Sequence, residues 1–258
     1  MTSMIQLEAV TKSFDHGPAV RDVSFLIPKG SFVAIVGSSG SGKTTTLKTI
    51  NRLIEPDSGS ISVAGEPVTQ IEPFTLRRRI GYVFQGIGLF PHMSVAENIG
   101  ITPQLLGWPK QTIQARTLEL LDLVELPREF ASRRPAELSG GQRQRVGVAR
   151  ALAARAEIML MDEPFGALDP VTRDSLGTSY RRLHEQMGLT TVMVTHDVLE
   201  AVLLADRIMV MHAGQIIADD TPHALLQGHA DERVRALMET PRKQAMRVGD
   251  LMQRNGRS

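Results

Sequence analysis

The sequence contains no cysteine, no long apolar run and no excess of charge of either sign. Without cysteine, disulfides, thiolate metal sites and thiol catalysis are excluded. Twenty-nine basic residues against 28 acidic ones leave a formal net charge of +1. A charge so close to zero provides no bulk attraction to nucleic acid or anionic lipid, so we expect no nucleic-acid partner.

No apolar stretch approaches the roughly 20 residues that a helix needs to cross a bilayer. The first eight residues have neither the basic start nor the apolar run of a secretory signal. We therefore expect the chain to stay in the cytosol and to reach a membrane only through a partner. Its 258 residues are 42% hydrophobic and 22% charged, which suits one globular domain over 1–258, or a core with a lobe.

The pattern of apolar residues predicts an α/β fold. Residues 1–30 alternate as antiparallel strands do, whereas 32–36 is a continuous apolar run, typical of a strand covered on both faces. Apolar strand patterns at 158–161 and 191–194 flank a helical pattern at about 171–187, which predicts a parallel βαβ unit.

Between these strand regions the pattern is helical. Serine N-caps with Glu or Gln three residues later mark helix starts at Ser94 and Ser139. Another helix is predicted with Ile113, Leu118, Leu121 and Val124 on one face. We expect a helical subdomain over about 86–152.

The C-terminal part begins with a predicted hairpin around Ala213-Gly214 and a helix start at Thr221-Pro222. Residues 229–258 form a basic, weakly patterned tail, for which we expect a helix.

A glycine-rich motif lies between the apolar run 32–36 and a helix predicted from about Lys43 to Leu53. In this context its backbone N–H groups and the helix N-terminus form a cradle for phosphates. Lys43 would reach the β- and γ-phosphates as a mobile charge, and the Thr44 hydroxyl would bind Mg²⁺. The motif predicts ATP and Mg²⁺ as ligands, but kinases, helicases, GTPases and transport ATPases share it. The nucleotide-binding residues are Gly37, Ser38, Ser39, Gly40, Ser41, Gly42, Lys43, Thr44 and Thr45.

Two carboxylates, Asp162 and Glu163, directly follow the apolar strand 158–161. At the carboxyl end of a parallel strand they would face the crevice in which ligands bind. We expect Asp162 to hold Mg²⁺ through water and Glu163 to polarise the water that attacks the γ-phosphate.

A second phosphate-binding pattern stands about a hundred residues after the first. It is the signature segment Leu138, Ser139, Gly140, Gly141 and Gln142, in which small residues precede a helix N-terminus. With the glycine-rich motif upstream, it resembles the ATP-binding subunit of an ABC transporter over about residues 4–225. This resemblance implies a P-loop NTPase (RecA-like) core with a mostly parallel sheet, an N-terminal antiparallel β subdomain and an inserted helical subdomain. It also implies a head-to-tail homodimer in which the signature of one copy closes over the nucleotide of the other.

The resemblance assigns roles to four further residues in the family's order. Phe14 stands where an aromatic ring stacks on adenine, although tyrosine is commoner there. Gln85 resembles the glutamine that touches Mg²⁺ and the attacking water, in a loop that contacts the membrane subunits. Asp169 lies in the loop that crosses the dimer interface, and His196 is the switch histidine that hydrogen-bonds the γ-phosphate.

Two segments, residues 84–99 and 162–176, resemble importer ATPases for quaternary amines such as glycine betaine, choline and carnitine, and residues 101–109 strengthen that similarity. This similarity implies integral membrane permease subunits as partners, a solute-binding protein as an indirect partner, and a place on the cytoplasmic face of the inner membrane. Many such ATPases carry C-terminal regulatory modules, which we do not expect here.

Other functions remain open. The chain could serve another importer or an exporter. A neighbouring gene for a solute-binding protein would indicate import. A soluble machine of DNA repair, translation or iron–sulfur assembly is a further alternative. Such machines usually carry a long coiled coil, two such domains in one chain or a degenerate motif, none of which is visible in the sequence.

Overall fold

The computed structural model describes residues 3–86 and 88–255 of the chain. Within these ranges, ten strands form two sheets. The strands are β1 (Ser3–Phe14), β2 (Gly17–Pro28), β3 (Phe32–Val36), β4 (Ser58–Val63), β5 (Glu66–Pro67), β6 (Ile80–Val83), β7 (Ile158–Asp162), β8 (Thr190–Thr195), β9 (Arg207–His212) and β10 (Gln215–Asp220).

Helices connect the strands and cover the larger sheet. The α-helices are α1 (Lys43–Ile50), α2 (Pro73–Arg79), α3 (Val95–Leu105), α4 (Lys110–Leu123), α5 (Gly140–Leu152), α6 (Pro170–Met187), α7 (Val198–Leu204), α8 (Pro222–Gln227) and α9 (Glu232–Asn255). Short 3-10 helices occupy Val68–Gln70, Arg128–Ser132 and Pro135–Glu137. In the part of the chain that is described, every helix is too short or too polar to cross a bilayer.

The two sheets differ in strand direction. The smaller sheet has the order β2-β1-β4-β5 and is antiparallel. The larger has the order β10-β9-β3-β8-β7-β6, in which β9, β3, β8, β7 and β6 run parallel and β10 pairs antiparallel with β9. The predicted α/β fold, the antiparallel N-terminal strands, the parallel βαβ unit and the C-terminal hairpin are confirmed.

Strand β3 is buried on both faces, which explains its continuous apolar sequence. Phe32, Ala34 and Val36 point into one core layer, together with residues of α5, α6 and α7. Val33 and Ile35 point into the other, which includes side chains of β1, β2 and α1. Burial of one large apolar side chain contributes about 1.5–3 kcal/mol, so the two layers fix the position of this strand.

The local helix signals are confirmed at several starts. Reciprocal capping boxes open α3 at Ser94 and α5 at Ser139. Thr221 caps α8 with Pro222 in the first turn. The helix expected for the tail is α9, and residues 256–258 of that tail lie outside the described residues.

Two sequence predictions for helices need correction. Helix α1 ends at Ile50, not at Leu53, because Arg52 adopts a left-handed φ of 54° and the chain turns there. In α4, Leu118 is 36% exposed and does not belong to the buried face. Arg116 and Thr117 are buried instead, because the packed face of α4 is centred on Thr117 and Leu120. The Arg116 guanidinium is satisfied there by the Leu152 carbonyl, to which it donates at 3.0 Å.

The parallel strands place four loops at one edge of the sheet. The P-loop (residues 37–44) follows β3, Gln85 follows β6, Glu163 follows β7 and His196 follows β8. Because these strands are neighbours and run in the same direction, their carboxyl ends lie side by side. This edge is where the predicted site residues meet.

Candidate nucleotide-binding site

The P-loop needs glycine at two positions for steric reasons. Gly42 has a φ of 104°, and a Cβ on it would lie 2.2 Å from the Ala19 carbonyl oxygen. A Cβ on Gly37 would lie 2.1 Å from the Met211 carbonyl oxygen. The loop is therefore pressed against β2 and β9, and any side chain at either position would displace backbone.

Helix α1 presents its N-terminus to the P-loop. Gly42 is the N-cap residue and supplies no side chain to cap the first turn. The N–H groups of the first turn and the helix dipole therefore favour an anion at this end. Ser38, Ser39 and Gly40 are exposed, so a ligand can reach the loop, while Thr45 is half-buried on α1.

The Lys43 ammonium is folded onto the P-loop. It donates to the carbonyl oxygens of Gly37 at 2.8 Å and Ser38 at 2.9 Å, and the residue is 6% exposed. Burial lowers the pKa of Lys43, and the carboxylates of Glu163 and Asp162 oppose that shift. The charge predicted to be mobile is therefore anchored, at a place where a phosphate in the loop could take over its hydrogen bonds.

Thr44 and Asp162 form a direct contact across the sheet edge. The Thr44 hydroxyl donates to Asp162 Oδ1 at 2.8 Å, and Asp162 is buried. Burial raises the pKa of Asp162, while the hydrogen bond from Thr44 and the charge of Lys48 act in the opposite direction. A hydroxyl and a carboxylate at hydrogen-bond distance are ligand types that Mg²⁺ prefers, usually together with water and phosphate oxygens. This donor set fits the metal predicted from the sequence.

Glu163 is the centre of a polar cluster. Its Oε2 accepts a hydrogen bond from Gln85 Nε2 at 3.1 Å, and its Oε1 lies 3.2 Å from His196 Nδ1. The three residues predicted to act in catalysis are thus brought together from the ends of three strands. The side chain of Glu163 is 22% exposed and that of His196 is 60% exposed, so water can reach the cluster.

The backbone of Glu163 is strained. Its φ is 45°, in the left-handed region, which costs a non-glycine residue about 1–2 kcal/mol. Its N–H donates to the Val194 carbonyl at 2.9 Å, which ties this conformation to β8. In this conformation the Glu163 carboxylate lies within hydrogen-bond distance of Gln85 and His196.

The signature segment forms a separate helix start. The Ser139 hydroxyl accepts from the Gln142 N–H at 3.3 Å, and Gln142 Oε1 accepts from the Ser139 N–H at 2.9 Å. Ser139 is exposed and Leu138 is buried beneath it. Within the described ranges, no hydrogen bond of residues 138–142 reaches the P-loop of the same chain.

The signature segment packs against the loop that carries Asp169. A Cβ on Gly141 would lie 2.6 Å from Thr172 Cγ2, and one on Gly140 would lie 3.8 Å from Leu168 Cδ2. Asp169 caps α6, where its Oδ1 accepts from the Thr172 N–H at 3.0 Å. That bond lowers the pKa of Asp169. The signature and the Asp169 loop therefore form one continuous surface.

Phe14 lies at the end of β1, beside the P-loop. It pairs with Gly17 in the hairpin, and Ala19, two residues further along β2, lies against Gly42. Phe14 is 49% exposed and Lys12 Nζ lies 5.7 Å from its ring centre. The ring is open to a planar ligand next to the phosphate cradle.

Sequence reasoning missed Arg173 and Glu200, which lie behind His196. Arg173 pairs with Asp197 at 2.7 Å, and Glu200 accepts a short hydrogen bond from the Thr195 hydroxyl. An available signal was the spacing of Asp197 and Glu200, which marks a capped helix start after β8.

Comparisons with known proteins agree with this geometry. A strand followed by a P-loop, with carboxylates at the end of a neighbouring parallel strand, defines a P-loop NTPase. Residues 20–166 match the family model of the ABC transporter. The chain belongs to the ABC transporter family.

Similar proteins include several ATP-binding subunits of transport systems. The choline transport ATP-binding protein OpuBA of Bacillus subtilis (strain 168) is 52% identical over 232 residues, which cover 90% of this chain and 61% of that protein. The glycine betaine uptake system ATP-binding protein YehX of Escherichia coli (strain K12) is 49% identical, with coverage of 90% and 75%. The chain spans about three-fifths of the length of the first of these relatives.

A solved structure shares the fold. The ATP-binding cassette MJ0796, in a dimeric post-hydrolysis state bound to ADP and Pi, aligns with a TM-score of 0.76 at 35% identity. The alignment covers 85% of this chain and 99% of that chain. The fold predicted from the sequence is confirmed.

Proposed function

We propose that this chain binds ATP with Mg²⁺ and hydrolyses it to power an ABC importer for quaternary-amine osmoprotectants. The observation that carries the proposal is the contact of Glu163 with both Gln85 and His196, beside the Thr44–Asp162 pair. Such a cluster at a P-loop suits hydrolysis of a γ-phosphate bond.

Each residue has a task that follows from its position. The P-loop N–H groups and Lys43 bind the phosphates, and Phe14 stacks on the adenine. Thr44, Asp162 and Gln85 would hold Mg²⁺, which neutralises charge on the phosphate oxygens when bound. Glu163 accepts a proton from the attacking water, and His196 donates to the γ-phosphate.

The site is completed by a second copy of the chain. The signature segment 138–142 is a helix N-terminus whose hydrogen bonds, among the described residues, do not reach the P-loop of the same chain. The dimeric neighbour supports a pairing of two such chains. In the head-to-tail homodimer, Ser139 and the glycines after it bind the γ-phosphate of the partner's ATP, and Asp169 crosses the interface.

The chain acts at the cytoplasmic face of the inner membrane through integral permease subunits. Residues 86–152 serve as a helical subdomain in a single domain that ends in the tail 229–258, and the Gln85 loop contacts the permease. The names of the relatives support a quaternary amine such as choline or glycine betaine as the solute, delivered by a solute-binding protein. ATP binding closes the dimer, and loss of the γ-phosphate opens it.

Solute uptake tests this proposal. Cells that lack the chain, cells that carry it and cells that carry Glu163→Gln are supplied with radiolabelled glycine betaine, choline or carnitine at high osmolarity. We expect uptake of at least one of these solutes only with the unchanged chain. Equal uptake of all three without the chain would contradict the assignment of the solute.

A pull-down from detergent-solubilised membranes tests the membrane partner separately. We expect the tagged chain to retain an integral membrane protein that is lost when the Gln85 loop is altered. If the chain retains none, a soluble ATPase function replaces the transport proposal.

A further inference from the structure

One arginine joins two loops that the proposed mechanism treats separately. Arg173 lies in the first turn of α6, and its Nη1 donates to Asp197 Oδ2 at 2.7 Å. Its Nη2 donates to the Leu168 carbonyl at 3.1 Å. Asp197 directly follows His196, and Leu168 directly precedes Asp169. Because the guanidinium is planar and rigid, the two bonds fix one loop relative to the other.

The His196 loop is anchored on both sides of the histidine. Asp197 caps α7, because its Oδ1 accepts from the N–H groups of Leu199 at 3.0 Å and Glu200 at 3.2 Å. On the other side, the Thr195 hydroxyl accepts from the Asp197 N–H at 3.0 Å and donates to Glu200. A shift of the His196 backbone must therefore move Asp197, and with it the partner of Arg173.

The other end of the link lies at the signature segment. Asp169 caps α6, and the Thr172 side chain of the same turn lies against Gly141. Arg173 is the next residue, so it stands where the His196 loop, the Asp169 loop and the start of α5 meet. The side chains of Arg173 and Asp197 are 26% and 30% exposed, so solvent screens this ion pair less than an open surface pair.

We propose that Arg173 is a positioning residue that couples the His196 loop to the Asp169 loop and the signature segment. A change at His196 on binding the γ-phosphate is passed through Asp197 and Arg173 to the surface that faces the partner copy. The inference rests on the proposed dimeric ATPase, and it predicts that the two nucleotide sites depend on each other through Arg173.

The test is the dependence of the hydrolysis rate on ATP concentration in the full-length chain. In Arg173→Met we expect ATP to bind the monomer within about 2-fold of the unchanged affinity, because among the described residues the hydrogen bonds of Arg173 go to Asp197 and Leu168 and not to the P-loop. We expect kcat to fall by about 3- to 30-fold and the Hill coefficient to fall to 1. Loss of folded protein alone would lower kcat but leave the Hill coefficient unchanged. Thermal unfolding of each variant measures how much of the protein is folded.

Three variants sharpen the result. Arg173→Lys keeps the positive charge but not the planar guanidinium that donates to two partners at once. It should therefore retain part of the hydrolysis rate and little of the cooperativity. Asp197→Asn keeps an oxygen for the cap of α7 but loses the charged pair, and its effect should not add to that of Arg173→Met. Arg182→Met changes an exposed arginine of the same helix and should behave as the unchanged chain.

The outcomes distinguish a failure of the proposed Arg173 coupling from a failure of the proposed ATPase function. Cooperative hydrolysis in Arg173→Met equal to that of the unchanged chain, or additive effects of the Arg173 and Asp197 variants, would overturn the coupling alone. If the unchanged chain hydrolyses no ATP, the proposed function itself fails and the coupling with it.

Discussion

The P-loop and the signature segment are both helix N-termini that suit a phosphate, yet different contacts build them. Around the P-loop, partners come from distant parts of the chain, as in the contacts of Thr44 with Asp162 and of Gln85 with Glu163. At the signature, Ser139 and Gln142 cap each other across three residues. Under the proposed function, the parallel sheet therefore assembles the hydrolytic half of the site, whereas a local motif presents the other half at the surface.

This difference indicates how the two halves should respond to change. A substitution in the hydrolytic half alters chemistry within one chain. A substitution at the signature segment should leave that chemistry intact and remove the contacts that one copy makes to the nucleotide of the other.

The largest effect is expected at Glu163. Replacement by glutamine keeps the size of the side chain but removes the proton acceptor, so hydrolysis should fall by about 100-fold or more. Binding of ATP should remain, and size-exclusion chromatography with ATP and Mg²⁺ should show a trapped dimer. Glu157→Gln changes an exposed carboxylate just before β7 and serves as the control. A Glu163→Gln chain that stays monomeric with ATP counts against the scheme.

A comparable loss is expected at Ser139. Ser139→Arg places a large side chain where the partner nucleotide would bind, so hydrolysis should be abolished while the monomer still binds ATP. Ser139→Asp keeps a good N-cap and should give the same result through repulsion of phosphate. Ser132→Arg, an exposed serine nearby, is the control. Unchanged turnover in both Ser139 variants would show that the signature takes no part in the site.

Lys43→Ala should weaken nucleotide binding in the monomer. Its ammonium makes charged hydrogen bonds, and the loss of such bonds to phosphate corresponds to about 10- to 100-fold in affinity. Calorimetric titration with ATP measures the effect, and Lys110→Ala, which changes an exposed lysine at the start of α4, is the control. Equal affinity in the Lys43 variant would refute the role of this lysine.

Gly141→Ala tests the packing of the signature on α6. The new methyl group would overlap Thr172 Cγ2, so we expect the free energy of unfolding to fall by about 1–3 kcal/mol. Thr172→Ser removes that methyl group and should restore stability in the double variant, measured by urea denaturation. An unchanged free energy of unfolding in Gly141→Ala would mean that the Thr172 side chain moves aside without strain.

A pH dependence of stability is expected from Glu200. Burial raises the pKa of Glu200 to about 7 from its ordinary value of 4.5. Between these two values the folded chain keeps a proton that the unfolded chain has lost. The free energy of unfolding should therefore fall as pH rises, by at most about 1.4 kcal/mol per pH unit.

Glu200→Gln removes this titration. We expect the difference in unfolding free energy between the unchanged chain and this variant to change from pH 4.5 to about 7 and to stay constant above that range. Urea denaturation at a series of pH values measures it. A difference that is the same at every pH would contradict a raised pKa.

Much of this molecule follows from local sequence. Ser94, Ser139 and Thr221 were identified as N-caps from spacing alone, because capping depends on residues within three positions. Gln85 and His196 were assigned to the site by the family resemblance, and the parallel strands explain why both lie with Glu163 at one edge of the sheet. Their roles in catalysis stay predictions.

Other features depend on tertiary contacts that no local pattern encodes. The link from Arg173 to Asp197 and Leu168 joins positions up to 24 residues apart, and the fold brings them together. Lys43 folds onto its own loop carbonyls, which its motif does not indicate. Leu118 fitted a helical stripe but is exposed, because the packed face of α4 is centred on Thr117 and Leu120.

The most direct test of a shared site is complementation in a mixture. Lys43→Ala chains lack a working P-loop but keep the signature, and Ser139→Asp chains have the opposite defect. Mixed in equal amounts, two inactive proteins should form heterodimers as about half of the dimers, each with one complete site. Hydrolysis should recover to at most about a quarter of the unchanged rate, and to less where the two sites depend on each other. A rate no greater than the sum of the two separate proteins would contradict a site built from two copies.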